Sequence, residues 1–194
     1  MAEGNNKKFI RNPVDFMRTH QLMISPQGIG SQSLQMGGMD IDIVPIDSQN
    51  PQFVRLENYS MRSHSRGAQP VKAFYLPAIF NNTSTLTIDN TRDFMFTADL
   101  SGCLFAAYGP NSSSLTVEHV NVRTPSAQVP IVPRATAIIN GNYNFYKILS
   151  PVPIHGANTG NVKTYTANSS VIGIRSGGGW QFYYKPSISS VAQL

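Results

Sequence analysis

This chain of 194 residues has a single cysteine, a single tryptophan and only ten acidic residues. Each scarcity excludes something. One cysteine cannot close an intrachain disulfide or build a Cys-based zinc cluster, and His20, His64, His119 and His155 show no ligand spacing. No metal and no cofactor is expected. No apolar run reaches the length of a membrane span, so no membrane association is expected either. The segment from Met1 to Asn12 is polar, carries Lys7, Lys8 and Arg11, and lacks the apolar core of a signal peptide. The acids are also unevenly placed. From His119 to Leu194 there is none, against Arg123, Arg134, Lys147, Lys163, Arg175 and Lys185. A net charge of +5 with this asymmetry steers the chain toward acidic partners, whether protein or nucleic acid, although six dispersed cations also describe an ordinary solvated surface.

What is present is enough apolar side chain, 41% of residues, to bury one core, and residues 1–194 read as a single domain. Asn12-Pro13 followed by Val14 to Met23 reads as a short helix, asparagine capping and proline opening the first turn. Gly28-Ile29-Gly30 lacks the third glycine and the strand-then-helix setting of a dinucleotide fingerprint. Strands are expected at Met39–Ile46, Phe53–Tyr59, Val71–Ile79, Ser84–Ile88, Phe94–Leu100, Leu104–Tyr108 and Leu115–Val122. Five more follow at Ala135–Ile139, Tyr143–Ile148, Val162–Tyr165, Val171–Arg175 and Gly179–Lys185. The alternation in Trp180-Gln181-Phe182-Tyr183-Tyr184 before Lys185 can stack on single-stranded nucleic acid, but it is also the pattern of a core strand, which is the reading favoured here. Many short strands with few helical runs give an α+β class: a β-rich sandwich of mixed sheets with peripheral helices.

Chemistry concentrates around Cys103. A thiolate is a strong nucleophile that needs a nearby base or positive end to form at neutral pH, and His119 stands sixteen residues downstream. Leu104-Phe105-Ala106-Ala107-Tyr108 and Leu115-Thr116-Val117-Glu118-His119-Val120 flank a turn cluster at Gly109 to Ser114, which reads as a hairpin. Pairing centred on residue 111 sets position 103 opposite position 119, with Cβ atoms about 5 Å apart. A one-residue slip makes them diagonal or puts them on opposite faces, and a lone cysteine is also a common small core residue.

The run Leu100-Ser101-Gly102-Cys103, with Thr97 six residues before the cysteine and His119 sixteen after it, resembles the cysteine glutamine deamidases. These comprise the catalytic domains of the cytotoxic necrotizing factors, the Burkholderia lethal factor group and the chemoreceptor deamidases of the CheD type. The likeness covers residues 94–120. It implies Cys103 as nucleophile, His119 as base and acid, Thr97 as the residue that orients His119, and Ser101 and Gly102 as the turn that shapes the nucleophile and its oxyanion site. The small size is most similar to the lethal factor group. That implies a monomeric bacterial toxin acting in the host cytosol on the DEAD-box helicase of translation initiation, and touching nucleic acid only through that target. Rho-family GTPases are the target implied by the necrotizing factors, and receptor glutamines the target implied by the chemoreceptor enzymes. Transglutamination follows if an amine replaces water, and a non-catalytic β-domain binding an acidic partner is the remaining alternative.

Overall fold

The computed structural model describes residues 4–24, 34–59, 69–121, 131–155, 160–187 and 190–194. The Gly28-Ile29-Gly30 run, His64, Val122 and Arg123 lie outside these described residues. Among the described residues, thirteen strands form two sheets. The larger sheet runs β1 (Gln21–Met23), β3 (Phe53–Asn58), β2 (Gly37–Pro45), β4 (Val71–Leu76), β6 (Phe94–Thr97), β11 (Val171–Ser176), β12 (Gly179–Ser187) and β13 (Ser190–Gln193). The smaller runs β10 (Val162–Thr164), β9 (Phe145–Ser150), β7 (Leu104–Asn111), β8 (Ser114–Asn121) and β5 (Asn82–Ile88). Both sheets are mixed: β1–β3, β4–β6 and β9–β10 pair parallel, the rest antiparallel.

Side-chain alternation divides the interior into three apolar layers. Phe74, Leu76, Met95, Val171, Trp180 and Phe182 of the larger sheet meet Ile88, Phe105, Ala107, Leu115, Val117 and Leu149 of the smaller in the central layer. Trp180, Phe182 and Tyr184 are buried there while Gln181 between them is exposed, so this alternation marks a core strand. The outer face of the larger sheet packs Ile41, Ile43, Val54, Tyr75, Phe94 and Phe96 against Phe9, Phe16 and Met17. Those three come from α1 (Asn5–Arg11) and α2 (Pro13–Thr19). The outer face of the smaller sheet packs Leu104, Ala106, Val120 and Ile148 against Ile131, Ala135 and Ile138 of α3 (Ile131–Ile139). The α+β sandwich with helices on its outside is therefore the observed architecture.

Asn12 caps α2 as the sequence indicates, its side chain accepting from the Asp15 N–H, with Pro13 in the first turn. The expected helix to Met23 stops at Thr19 instead. Gln21 pairs with Phe53, and ladder bonds at the edge of the larger sheet override the local preference. A second correction concerns Ala135–Ile139, expected as a strand. It is the second half of α3, because Ile131, Ala135 and Ile138 recur at helical spacing and bury one face; Pro133 sits in the first turn, where its missing N–H costs nothing.

Candidate active site

Between β6 and β7 the chain runs through Ala98 to Cys103, and this connection builds the candidate site. Leu100 pairs with Ser169 in an isolated antiparallel bridge, which anchors its middle. Ser101 and Gly102 follow in the open. Gly102 has φ +78°, a left-handed conformation, and an added Cβ there meets nothing within 4 Å. Backbone conformation rather than space therefore calls for glycine. The turn delivers Cys103 to the start of β7, where it is 3% exposed.

Tyr165 clamps Cys103 from the neighbouring loop. The Cys103 N–H donates to the phenol oxygen at 2.8 Å, and the phenol O–H donates to the Cys103 carbonyl at 2.7 Å. That N–H is thus already committed to the phenol. The thiol donates to Asn121 Oδ1 at 3.2 Å.

The β7–β8 hairpin forms as expected, but its register differs. Phe105, not Cys103, is opposite His119, and Leu104 is opposite Val120. Continuing that ladder sets Cys103 opposite Asn121, consistent with the thiol contact. The cause lies in the turn. Asn111 Oδ1 accepts from the Ser113 N–H at 2.9 Å, the Ser113 hydroxyl at 2.6 Å and the Ser114 N–H at 3.2 Å, and the ladder is irregular between Tyr108 and Asn111. This asparagine-led turn moves the hairpin's centre toward the C-terminus by one residue, and pairing partners shift by two. A two-residue shift keeps every side chain on its face. Cys103 and His119 accordingly share the face toward the central layer, as diagonal rather than direct neighbours.

His119 is fully buried, and neither ring nitrogen has a hydrogen-bond partner. Burial pushes its pKa down to about 4, so the imidazole is neutral at neutral pH. No thiolate–imidazolium pair exists in this arrangement. Thr97 reaches the same layer from the opposite sheet: it is paired with Leu76 at the end of β6 and is fully buried. Its hydroxyl oxygen accepts from the Val171 N–H at 2.9 Å and makes no hydrogen bond to the imidazole. Cys103 and His119 thus share one face of the smaller sheet, Thr97 is buried on the larger sheet, and no hydrogen bond links the histidine to either.

Sequence reasoning missed Asn121 and Tyr165. Asn121 was within reach, being two residues beyond His119 on the same strand face, once the turn is centred correctly. Tyr165 is 62 residues from Cys103 and carries no local signal. A cleft of about 270 Å³ lined by Ser112, Lys147, Trp180, Gln181 and Leu194 lies at the hairpin-tip end of the sandwich, and none of Thr97, Cys103 and His119 borders it. Among the described residues, no group of three or more His, Cys, Asp or Glu side chains is placed to hold a metal ion.

No protein-family model and no curated protein matches this chain. Among solved structures, it is similar to the C-terminal domain of CNFy from Yersinia pseudotuberculosis, at 10% identity and a TM-score of 0.45, over 87% of this chain and 92% of that one. At that distance the likeness assigns neither an activity nor a residue role.

Proposed function

We propose that this chain is a cysteine-dependent protein glutamine deamidase. The observation that supports the reading is that Cys103 and His119 share one face of the inter-sheet layer as diagonal neighbours, with Thr97 buried on the facing sheet and Cys103 set directly after an exposed positive-φ turn. Neutral His119 takes the thiol proton as Sγ attacks the carboxamide carbon of a glutamine. The tetrahedral oxyanion collapses, the C–N bond breaks, and the imidazolium returns its proton to the departing ammonia. Water, deprotonated by His119, then cleaves the thioester and leaves glutamate and the thiol. The Ser101–Gly102 turn is the lip through which the glutamine reaches Sγ.

The finer reading is a bacterial toxin acting in the host cytosol as a monomer, on the translation initiation helicase or alternatively on a Rho-family GTPase. Chemoreceptor glutamines are a further target class. The acid-free stretch from His119 onward contributes less to docking than its composition implies. Arg134 is held by Glu118, Arg175 by Asp93, Lys147 by the Gly160 carbonyl, and Lys185 by the Met17 and His20 carbonyls. Target choice then rests on the surface around the Ser101–Gly102 turn.

A second reading, a non-catalytic β-domain, is favoured by the 3% exposure of Cys103 and the absence of a bond from the imidazole to its sulfur. One experiment separates the two. The folded protein is treated with iodoacetamide, and in parallel is incubated with intact helicase, Rho GTPase and receptor fragments while ammonia release and a gain of roughly one mass unit per amide converted to acid are followed. Alkylation at Cys103 with ammonia release supports the enzyme; an inert thiol with no mass gain on any target supports the binding domain.

A further inference from the structure

Three buried polar atoms without hydrogen-bond partners lie on the adjacent strands β8 and β5: both ring nitrogens of His119 and the hydroxyl oxygen of Ser84. Ser84 is 2% exposed and lies directly opposite His119 in the β5–β8 ladder. Directly opposed side chains share a face with Cβ atoms about 5 Å apart, which is within reach of a hydroxyl–imidazole hydrogen bond after a rotamer change. Ser84 also alternates with Leu86 and Ile88, which pack into the central layer, so its side chain belongs to the face that holds His119 and Cys103. Buried polar groups are nearly always paired, and two adjacent residues lacking partners call for an explanation outside the fold's own stability.

Strand order supplies it. In the sequence β7-β8-β5, His119 occupies the middle strand, with Ser84 on one flank and Cys103 diagonally placed on the other. A base oriented by a third group and within reach of a nucleophile is the general signature of an activated nucleophile, and these three strands carry residues of each kind. Thr97 approaches from the opposite sheet, and its oxygen already accepts from Val171. We propose that Ser84 is the positioning residue for His119, its hydroxyl bonding one imidazole nitrogen and so fixing the tautomer and the ring orientation that present the other nitrogen to the Cys103 thiol. This inference rests on the deamidase reading of Cys103 and His119. Phe105 opposite His119, and Val117 and Asn121 two residues either side of it along β8, carry no charge.

The test uses ring-nitrogen NMR of ¹⁵N-histidine protein, with the His119 signals assigned from their loss in His119→Gln. In the wild type the two nitrogens resonate as one protonated and one unprotonated, a single tautomer. In Ser84→Ala they move toward each other as tautomers mix, and Ser84→Thr restores the separation. Ammonia release falls about tenfold or more in kcat with KM unchanged, inside the range that acid–base catalysis supplies. Thermal melting falls by only about 2 to 4 °C, as expected for the loss of one buried hydrogen bond from a chain of this size. Identical His119 nitrogen spectra in wild type and Ser84→Ala overturn the proposal, as does a lowered melting temperature with unchanged spectra. The spectra need no substrate. Altered spectra beside a wild type that releases no ammonia would retain the Ser84–His119 bond and overturn the deamidase reading instead.

Discussion

Glu118 and His119 are consecutive residues of β8, both almost wholly buried, and the fold treats them in opposite ways. On the outer face, the Glu118 carboxylate accepts from the Tyr108 hydroxyl at 2.6 Å and from Arg134 Nε at 2.8 Å, with a second Arg134 nitrogen on its other oxygen. The guanidinium also lies 5.7 Å from the centre of the Tyr108 ring. Helix α3 brings Arg134 there while its apolar face covers the sheet, so the charge arrives with the helix that buries it. Burial and the carboxylate push the Tyr108 phenol well above its ordinary range, which keeps it a donor. On the inner face, His119 has no partner at all. A buried charge unpaired in this way would unfold the protein; a histidine survives by staying neutral. The outer face thus holds α3 to the sheet, and the inner face leaves an imidazole whose nitrogens are uncommitted.

The strongest way to break this comparison is to remove the nucleophile beside the uncommitted ring. Cys103→Ser is expected to abolish glutamine turnover while the fold persists, since a serine hydroxyl also bonds Asn121. Melting should move by roughly 3 °C, corresponding to about 1 kcal/mol in a chain of this size. Retained ammonia release would take Cys103 out of the mechanism.

Next in size is the pH dependence that a neutral buried histidine imposes. The folded pKa of His119 is about 4 against an ordinary 6.5, so between those values the unfolded chain binds more protons and stability falls as pH falls. The integrated effect is about 3 kcal/mol. Asp99 works the other way: burial raises it from 3.8 to about 6, so the folded chain binds more protons and stability rises as pH falls through the same window. The two nearly cancel in the wild type. The measurement is therefore a difference, urea unfolding of wild type and His119→Leu at pH 7 and pH 4, with the wild type losing about 3 kcal/mol relative to the variant. Parallel curves would mean that His119 is solvated or held beside a negative charge that keeps it protonated.

How far this site was legible follows from the same hairpin. The strands β7 and β8, the turn between them and the inward direction of Cys103 and His119 follow from alternation and from the Gly109-to-Ser114 cluster, signals that local sequence carries. The register did not, because it depends on which turn residue Asn111 bonds, and that choice is made by three hydrogen bonds that leave no pattern in the sequence. Ser84 and Tyr165 were illegible for a different reason: they reach the site through sheet order and a long-range clamp. Ala135–Ile139 misled because β-branched residues near the end of a helix read locally as strand, while the deciding residue, Ile131, lies one turn earlier.

Smaller in size, the outer face can be opened without touching the inner one. Arg134→Met leaves the Glu118 carboxylate, 5% exposed, without its counter-charge. A loss of about 2 to 3 kcal/mol is expected, below the value for a fully buried pair because the Arg134 side chain is 40% exposed. Adding Glu118→Gln to Arg134→Met should recover most of it. Per folded molecule, kcat stays at the wild-type value in both variants. A fall in kcat with the fold intact would show that the two faces of β8 are coupled, and the contrast between them would fail.

The smallest expected effect decides between the two hydroxyls that flank the inter-sheet layer. The Thr97 oxygen accepts from the buried Val171 N–H, and it is one of the bonds that fix β11 beside β6. Thr97→Val removes that acceptor at nearly constant volume and strands an N–H in an apolar layer. The cost is about 1 to 2 kcal/mol, read as a lower urea midpoint. His119 ring-nitrogen spectra should not change, since no bond runs from Thr97 to the imidazole in this fold. Ser84→Ala is expected to differ, altering the spectra at a smaller cost in stability. Two buried hydroxyls facing one layer are thereby sorted by what they hold, a strand or a ring. If Thr97→Val moves the His119 signals and Ser84→Ala does not, the orienting role belongs to Thr97, and the layer must close further in solution than the β6–β11 pairing shows.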